Sequence, residues 1–262
     1  MNSLRESLWA ETLKMRRSKV PLFASLGFFI LPFVGGLFMM ILKDPEAAKS
    51  MGLITAKAQI TAGTADWPGY FDFLKQGVAM GGMILFSIMT TWIFGREFSD
   101  HTVKEILALP TTRETIITAK FISIIAWSLV ITLLVFGTSL VIGALVVLPG
   151  WSLNLLRISF IDIVGGTLLT LPLISYVALL ASNGRGYLPP FGWMILTLVL
   201  ANIAAIMGWG DWFPWAIPAL FSGIAGPRTE WLGVHSYIIL ILASLIGFAL
   251  TYWWWRTADQ TR

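Results

Sequence analysis

Six long apolar stretches, separated by short charged segments, are the feature of this sequence that most restricts its fold. A helix needs roughly 20 apolar residues to cross the ~30 Å hydrocarbon core of a bilayer. Inside that core the backbone must satisfy its own hydrogen bonds, which a helix does and an open strand does not. We therefore expect an all-α integral membrane protein with six transmembrane helices. The predicted spans run over Val20–Leu42, Gly77–Gly95, Phe121–Leu148, Ile161–Ala181, Pro190–Met207 and Tyr237–Trp255.

The composition excludes a soluble globular domain. Hydrophobic residues make up 56% of the chain and charged residues 12%, whereas soluble domains carry roughly 25% charged residues. The formal net charge of +4 does not indicate a nucleic-acid partner, because the basic residues cluster beside the apolar spans. Cysteine is absent, so the sequence offers no disulfide and no thiolate metal ligand.

The distribution of lysine and arginine predicts that both termini lie in the cytoplasm, and we expect a multi-pass protein of a bacterial cell membrane. Cytoplasmic loops carry an excess of these residues. With the termini inside, 12 of the 18 Lys and Arg residues are cytoplasmic and the other six are external. The basic cluster ahead of the first span also suits anionic membrane lipid. It consists of Lys14, Arg16, Arg17 and Lys19.

The N-terminal stretch, residues 1–19, has the pattern of an amphipathic helix at the cytoplasmic membrane surface. Ser3 and Glu6 have the spacing of a capping box. Leu4 and Leu8 fall on one side of such a helix, and charged residues fall on the other. A short solvated helix without membrane contact would show the same pattern, so this alternative stays open.

The segment between spans two and three, residues 96–120, is the most charged part of the chain. Ser99 or Asp100 can cap a short helix, and Pro110 would end that helix. Thr111 has the spacing of an N-cap for a second helix, which continues into span three. The pattern therefore predicts a helical hairpin that projects into the cytoplasm.

The short helix of this hairpin would present an apolar side made of Val103, Ile106 and Leu107. Such a side needs a partner that removes it from water. In one interpretation it rests on the lipid interface. In the other, it docks into a groove on a soluble partner, as amphipathic helices do in many complexes.

The same segment resembles the cytoplasmic motif of ABC-2 type permeases, which takes the form Glu, Gly-Thr, a leucine-rich turn, Pro, Arg and Lys. The residues that carry the resemblance are Glu97, Thr102, Lys104, Leu107, Pro110, Arg113 and Lys120. One departure is plain, because His101 stands where the family has Gly before the Thr. Within the family, the small size and single permease domain are most similar to the bacitracin-resistance and lantibiotic-immunity permeases.

The resemblance implies an ATP-driven exporter with one transmembrane permease domain over residues 1–262. Two copies of this chain, or this chain and a similar one, would bind two ABC ATPase subunits. Those subunits would bind ATP and magnesium, and this chain would carry no cofactor. The residues that would contact the ATPase are Glu97, Asp100, Thr102, Val103, Lys104, Ile106, Leu107 and Arg113.

The resemblance also implies that spans two and five line a translocation path. Met80 and Met83 lie in span two, and Asn202 is the polar residue deep in span five. Asn202 could instead bond to a neighbouring helix. The substrate implied is an amphipathic peptide, an antibiotic or a lipid-like molecule that moves outward.

The last external loop, residues 209–231, is more apolar than an aqueous loop. Pro214, Pro218 and Gly223 prevent it from forming a full span. We expect two short re-entrant helices that dip into the outer leaflet, which is similar to ABC-2 permeases. The alternative is an interfacial loop anchored by tryptophan.

Nothing in the sequence indicates an enzyme. It contains no Walker A, HExxH or GxSxG pattern, and His101 and His235 are predicted to lie outside the apolar spans, so neither a catalytic nor a metal site is predicted. Asp162 and Asp211 are predicted at span ends, which leaves the span centres without the ionisable groups of ion-coupled transporters. Energy for transport must then come from another chain. The main rival hypothesis is a membrane anchor or sensor that recruits a soluble partner without transporting anything.

Overall fold

The computed structural model describes residues 3–44, 64–108, 110–224 and 232–258, apart from the side chain of Leu107. Ten α-helices and two short 3₁₀ turns, at Leu171–Leu173 and Gly210–Trp212, form the regular structure of these ranges, which contain no strand. The helices are α1 (Ser3–Arg17), α2 (Lys19–Lys43), α3 (Trp67–Ser99), α4 (Val103–Leu107), α5 (Arg113–Leu145), α6 (Leu153–Thr170), α7 (Ile174–Asn183), α8 (Leu188–Ile206), α9 (Ile217–Phe221) and α10 (Val234–Thr257).

Six helical segments within the described ranges are long and apolar enough to cross a membrane. They are α2, α3, α5, the continuous pair α6 and α7, α8 and α10. The prediction of an all-α chain with six spans is confirmed. Pro172 lies in the 3₁₀ turn between α6 and α7, where a missing N–H interrupts the α-helical hydrogen bonds. Helix α2 runs through Pro32 without such an interruption.

Several helices begin earlier than the apolar pattern predicts, because their polar caps lie outside the apolar stretches. The N-cap of α3 is Asp66, whose Oδ1 accepts from the N–H of Gly69 at 2.8 Å. The N-cap of α5 is Thr112, whose hydroxyl accepts from the N–H of Thr115 at 3.3 Å. The cap predicted at Thr111 is therefore wrong by one residue.

Helix α3 is the centre of the bundle and packs against α2, α5, α6, α7 and α8. Because neighbours surround it, large side chains on several of its sides are buried, including Phe86, Met89 and Phe94. Gly77 allows α2 to approach closely, since a Cβ at this position would collide with Leu31. Helices α2, α8 and α10 leave many apolar side chains uncovered, as helices in contact with lipid do.

Helix α1 lies against α5 and α2, and Ser18 separates it from the first span as the N-cap of α2. Trp9 on α1 is 67% exposed, and Leu4 is also exposed, so the helix carries apolar groups outside the bundle. Its contact with the membrane surface stays a prediction.

Candidate coupling and transport site

The hairpin end of α3 is closed by a tight turn at His101. The φ of His101 is 57°, in the left-handed region that glycine adopts readily and other residues rarely. The N–H of His101 donates to the carbonyl of Phe98 at 3.3 Å, and the N–H of Thr102 donates to the carbonyl of Glu97 at 2.9 Å. This is the hydrogen-bond pattern of a Schellman C-cap. The position thus adopts the conformation that the glycine of the ABC-2 motif would supply.

The short hairpin helix α4 lacks the side-chain cap that the sequence predicts. Helix α3 continues to Ser99, and Asp100 is its C-cap residue. Thr102 occupies the N-cap position of α4 and makes no side-chain capping bond. The carboxylate of Asp100 instead accepts from Nε of Arg96 at 3.2 Å, because Asp100 belongs to the C-terminal turn of α3.

Four charged side chains from α1, α3 and α5 form a buried cluster at the hairpin end. Oε1 of Glu97 accepts from Nζ of Lys14 at 2.8 Å and from Nζ of Lys120 at 2.7 Å. Lys14 also donates to Oε1 of Glu11 at 2.7 Å, and Lys120 lies 3.5 Å from that same atom. Two ammonium groups thus face two carboxylates, and the cluster is neutral.

Lys120 is the most enclosed member of this cluster, with a side-chain exposure of 0%. Its Nζ also donates to the carbonyl of Ile93 at 2.9 Å and lies 5.7 Å from the ring centre of Phe94. Burying an ammonium without a counter-charge costs several kcal/mol, so the position of Lys120 depends on Glu97. Within the described residues, the second carboxylate oxygen of Glu97 is buried without a hydrogen-bond partner.

Lys14 connects the N-terminal helix to the hairpin through this cluster. Burial lowers the pKa of Lys14, but the carboxylates of Glu97 and Glu11 outweigh burial and hold the pKa above its ordinary value. From the sequence, Lys14 is predicted to be a topology signal and Glu97 a contact for the ATPase. The structure instead buries Glu97 at 2% exposure, where it fixes the hairpin to α1 and α5.

The predicted ATPase-coupling residues divide into two groups. Val103 is buried in the apolar core, and the guanidinium of Arg113 donates to the carbonyls of Trp255 at 3.0 Å and Ala258 at 3.2 Å. Together with Glu97, these side chains hold the hairpin onto the bundle. Asp100 and Lys104 are exposed, and Thr102 is half-buried.

A groove of about 300 Å³ separates α1 from the hairpin. Ile106, which is half-buried, and Pro110 line one side of it, and Ala10 and Glu11 line the other. Ile106, one residue of the predicted docking side, therefore faces α1 across this groove. The side chain of Leu107 lies outside the described residues.

Met80, Met83 and Asn202, the residues predicted to line a path, surround one cavity of about 60 Å³ between α3, α8 and α9. Nδ2 of Asn202 donates to the carbonyl of Leu198 at 2.8 Å, so this side chain bonds within its own helix. The rest of the lining is mostly apolar. It comprises Ala79, Leu198, Ala201, Ala205, Trp215, Ala216, Pro218, Ala219, Leu220 and Ile224.

The segment before α10 packs against α3, α6, α8 and α10. It contains the 3₁₀ turn Gly210–Trp212 and the short helix α9. The ring of Trp215 packs against Tyr176, with ring centres 5.2 Å apart, and against Trp193 at 5.5 Å. The last part of the predicted re-entrant segment, residues 225–231, lies outside the described residues.

Asp211 and His235 link this segment to the start of α10. The prediction that His235 lies outside the spans is wrong, because α10 begins at Val234. Nε2 of His235 lies 2.9 Å from Oδ2 of Asp211, and the ring of Trp212 lies over the imidazole with centres 4.7 Å apart. Trp212 is 62% exposed, whereas Ile217 of α9 is fully buried. The segment thus has one face on the bundle, and its depth in the membrane stays a prediction.

A second buried ion pair joins α3 to α6. Nζ of Lys75 lies 3.5 Å from Oδ2 of Asp162 and 2.7 Å from Oδ1 of Asp72. The prediction that Asp162 sits at a span end is wrong, because α6 begins at Leu153 and places Asp162 about two and a half turns inside the helix. Asp162 is 6% exposed. Asn154 and Arg157, which interrupt the apolar pattern, conceal this earlier start in the sequence.

Six helices long and apolar enough to cross a membrane define an all-helical, multi-pass membrane protein. The sequence profile of the ABC-2 family transporter proteins matches residues 7–204, and the chain belongs to this family. It is 25% identical over 187 residues to the bacitracin transport permease protein BCRB of Bacillus licheniformis. The aligned region covers 70% of this chain and 87% of that protein. No solved structure matches the chain.

Proposed function

We propose that this chain is the permease subunit of an ATP-driven exporter that moves an amphipathic peptide, antibiotic or lipid-like molecule outward. The observation that carries the proposal is the similarity to a bacitracin transport permease over 87% of the length of that relative. Bacitracin is an amphipathic peptide, so the substrate named for this relative suggests a substrate of that class. ATP and magnesium would be bound by separate ABC ATPase subunits.

The cavity between α3 and α8 supports this substrate class. Its lining is apolar except for Asn202 and the backbone, and Met80 and Met83 add flexible thioether side chains that adapt to irregular apolar ligands. Helix α8 leaves apolar side chains such as Ile195 and Val199 uncovered. Two permease chains, either two copies or this chain and a similar one, would together enclose a wider path along these helices.

The hairpin is the proposed contact with the ATPase. Asp100, Lys104 and Glu105 are exposed there. Glu97, Val103 and Arg113 would act indirectly, because their side chains bond or pack within the chain. A force on the hairpin would therefore reach α1, α5 and α10 through specific side chains.

The proposed location is the cell membrane, with both termini in the cytoplasm. Reporter fusions after Asp100 and Arg185 should then be cytoplasmic, and fusions after Lys57, Trp151 and Pro227 should be external. An external reporter after Asp100 would contradict the proposal, since the hairpin could not then meet a cytoplasmic ATPase.

Reconstitution tests the transport activity itself. The chain and its candidate ATPase, taken from the adjacent coding sequence, would be placed in liposomes, and ATP-dependent movement of labelled bacitracin would be measured. We expect transport that requires both chains and ATP, with a catalytically inactive ATPase as the control. A stable complex that hydrolyses ATP but moves neither bacitracin nor a labelled lipid would favour the anchor or sensor hypothesis instead.

A further inference from the structure

A cavity of about 300 Å³ lies at the junction of α1 and α2, beside the hairpin end of α3 and the start of α8. Its lining is mainly polar and includes three cationic side chains: Lys14, Arg17 and Arg96. Asp100 is the one anionic side chain in the lining. Glu11 and Glu97 offset the charge of Lys14, and Asp100 offsets that of Arg96. Arg17 therefore supplies the net positive charge that favours an anionic ligand.

We propose that this cavity binds the phosphate headgroup of an anionic phospholipid. The proposal concerns a site separate from the transport path, and it does not depend on the identity of the transported substrate. Phosphate is recognised in proteins by arginine guanidinium groups, often through two parallel hydrogen bonds, and by lysine as a point charge.

The two arginines are available for such contacts. Arg17 is exposed in the last turn of α1 and has no ion-pair partner within the described part of the chain. Arg96 bonds Asp100 through Nε at 3.2 Å, which leaves the terminal nitrogens of the guanidinium for a further acceptor. The guanidinium carbon lies 5.3 Å from the ring centre of Trp92, so a cation–π contact holds the group in place.

Other features of the lining agree with a headgroup at this depth. Ser18 is the N-cap of α2, so the positive end of that helix dipole faces the junction. Trp92 and Tyr187 contribute amphipathic rings of the type that favours the membrane interface. The cavity is also bounded by the ends of three predicted spans, which is where lipid phosphates lie.

The surface beyond the cavity distinguishes a lipid from free phosphate. Leu22 and Leu26 follow on α2 and are 57% and 52% exposed, and Leu188 at the start of α8 is 83% exposed. These side chains offer apolar surface to acyl chains directly beyond the polar cavity. A ligand with a negative head and apolar tails would use both parts, whereas inorganic phosphate would use only the first.

The test measures lipid binding to the full-length protein in a neutral detergent. A fluorescent short-chain phosphatidylglycerol would be followed by anisotropy, with unlabelled phosphatidylglycerol, phosphatidylcholine and inorganic phosphate as competitors. We expect phosphatidylglycerol to compete at least about ten-fold better than phosphatidylcholine. Competition by inorganic phosphate at equal concentration would overturn the lipid assignment.

Arg17→Gln and Arg16→Gln form a matched pair of variants. Both residues are exposed at the end of α1, and only Arg17 lines the cavity. Arg17→Gln should weaken phosphatidylglycerol binding about ten-fold, which corresponds to about 1.4 kcal/mol, and Arg16→Gln should change it less than about two-fold. Equal weakening by both variants would show general surface attraction and would overturn the site.

Arg96→Lys provides a second test that keeps the net charge. Lysine cannot form the two-pronged contact with phosphate or reproduce the stacking on Trp92, so binding should weaken several-fold. The melting temperature in detergent should stay near that of the unaltered protein. Unchanged binding by both Arg96→Lys and Arg17→Gln would refute the proposal.

Discussion

Nζ of Lys120 lies 2.7 Å from Oε1 of Glu97, and both side chains are removed from water. Glu97 is the first residue of the hairpin motif and Lys120 is the last, 23 residues further along the sequence. The two ends of the motif are thus joined by a buried ion pair, and Lys14 adds a third helix to that contact.

Breaking this pair should destabilise the protein, because Glu97 would stay buried with Lys14 as its one remaining counter-charge. We expect Lys120→Met to lower the free energy of unfolding by up to ~3–5 kcal/mol, the loss typical of a buried pair that loses one partner. The double variant Glu97→Gln with Lys120→Met should recover part of the loss, since it removes both charges. Denaturation of the purified variants in detergent would measure the differences.

The control for this experiment is an exposed ion pair near the same end of the bundle. Nε of Arg256 lies 3.3 Å from Oε1 of Glu114, with side-chain exposures of 68% and 55%. Glu114→Gln should change stability by less than ~1 kcal/mol, as is usual for pairs in water. Losses of equal size for Lys120→Met and Glu114→Gln would contradict a special role for the buried pair.

Replacing His101 by glycine should be tolerated and should stabilise the hairpin turn. The left-handed conformation costs a non-glycine residue roughly 1–2 kcal/mol, and the extra chain entropy of glycine offsets roughly 0.5–1 kcal/mol. We therefore expect His101→Gly to raise the free energy of unfolding by up to ~1 kcal/mol. Thermal denaturation would measure the change.

The neighbouring position supplies a control for the conformational argument. Thr102 has a φ of −93°, which any residue adopts. Thr102→Gly should therefore not raise the free energy of unfolding. His101→Val should be less stable than the unaltered protein, because branching at Cβ makes the left-handed region less favourable. A destabilising His101→Gly would show that the imidazole itself contributes to the turn.

Leu107→Asp should weaken binding of the ATPase while leaving the permease folded. If the tip of α4 enters a groove on the partner, a charge there costs on the order of 2 kcal/mol or more, which is about 30-fold in affinity. Thr257→Asp, at the exposed end of α10, is the control and should bind normally. Co-purification and transport would be measured for both variants.

Val103→Asp separates coupling from folding in the same helix. Val103 is 8% exposed and belongs to the apolar core of the chain, so its replacement should lower the yield of folded protein. If Leu107→Asp keeps both its partner and its transport activity, α4 is not the coupling element.

Filling the cavity between α3 and α8 should reduce transport without affecting the ATPase contact. Met80→Trp adds a bulky ring where Met80 lines the cavity. The expected result is a several-fold lower transport rate with unchanged ATPase co-purification. Ile84→Trp is the matched control, because Ile84 lies one turn further along α3, is similarly exposed, and is outside the lining. Equal transport by Met80→Trp and the unaltered chain would remove this cavity from the path.

The elements of the fold could be predicted because each depends on a local pattern. Apolar length predicts the spans, Pro110 predicts the division of the hairpin, and Pro214 with Pro218 predicts the short elements before α10. The boundaries were less accurate where polar residues begin a helix, as at Asp66 and Thr112. A cap lies outside the apolar stretch, so hydropathy alone places the helix end too far inside.

The contacts of the candidate site could not be predicted in the same way. Glu97 and Lys14 are 83 residues apart, and no local pattern shows that they meet. A charged residue in a charged segment suggests an exposed side chain, yet packing of α1 against α5 covers Glu97. The resemblance to a family motif identified Glu97 and Lys120 as motif positions, but it implied an ATPase contact for Glu97 and gave no role to Lys120.

The order in which the chain is synthesised gives the buried cluster a further consequence. Lys14 leaves the ribosome 83 residues before Glu97, whereas Lys120 follows Glu97 by 23 residues. While the third helix enters the bilayer, Lys14 is thus the one lysine of the cluster that already exists. The N-terminal helix can neutralise the carboxylate of Glu97 during insertion, before its second partner, Lys120, has been made. Deletion of that helix would therefore impair biogenesis, and adding it back later as a separate peptide would not repair the defect.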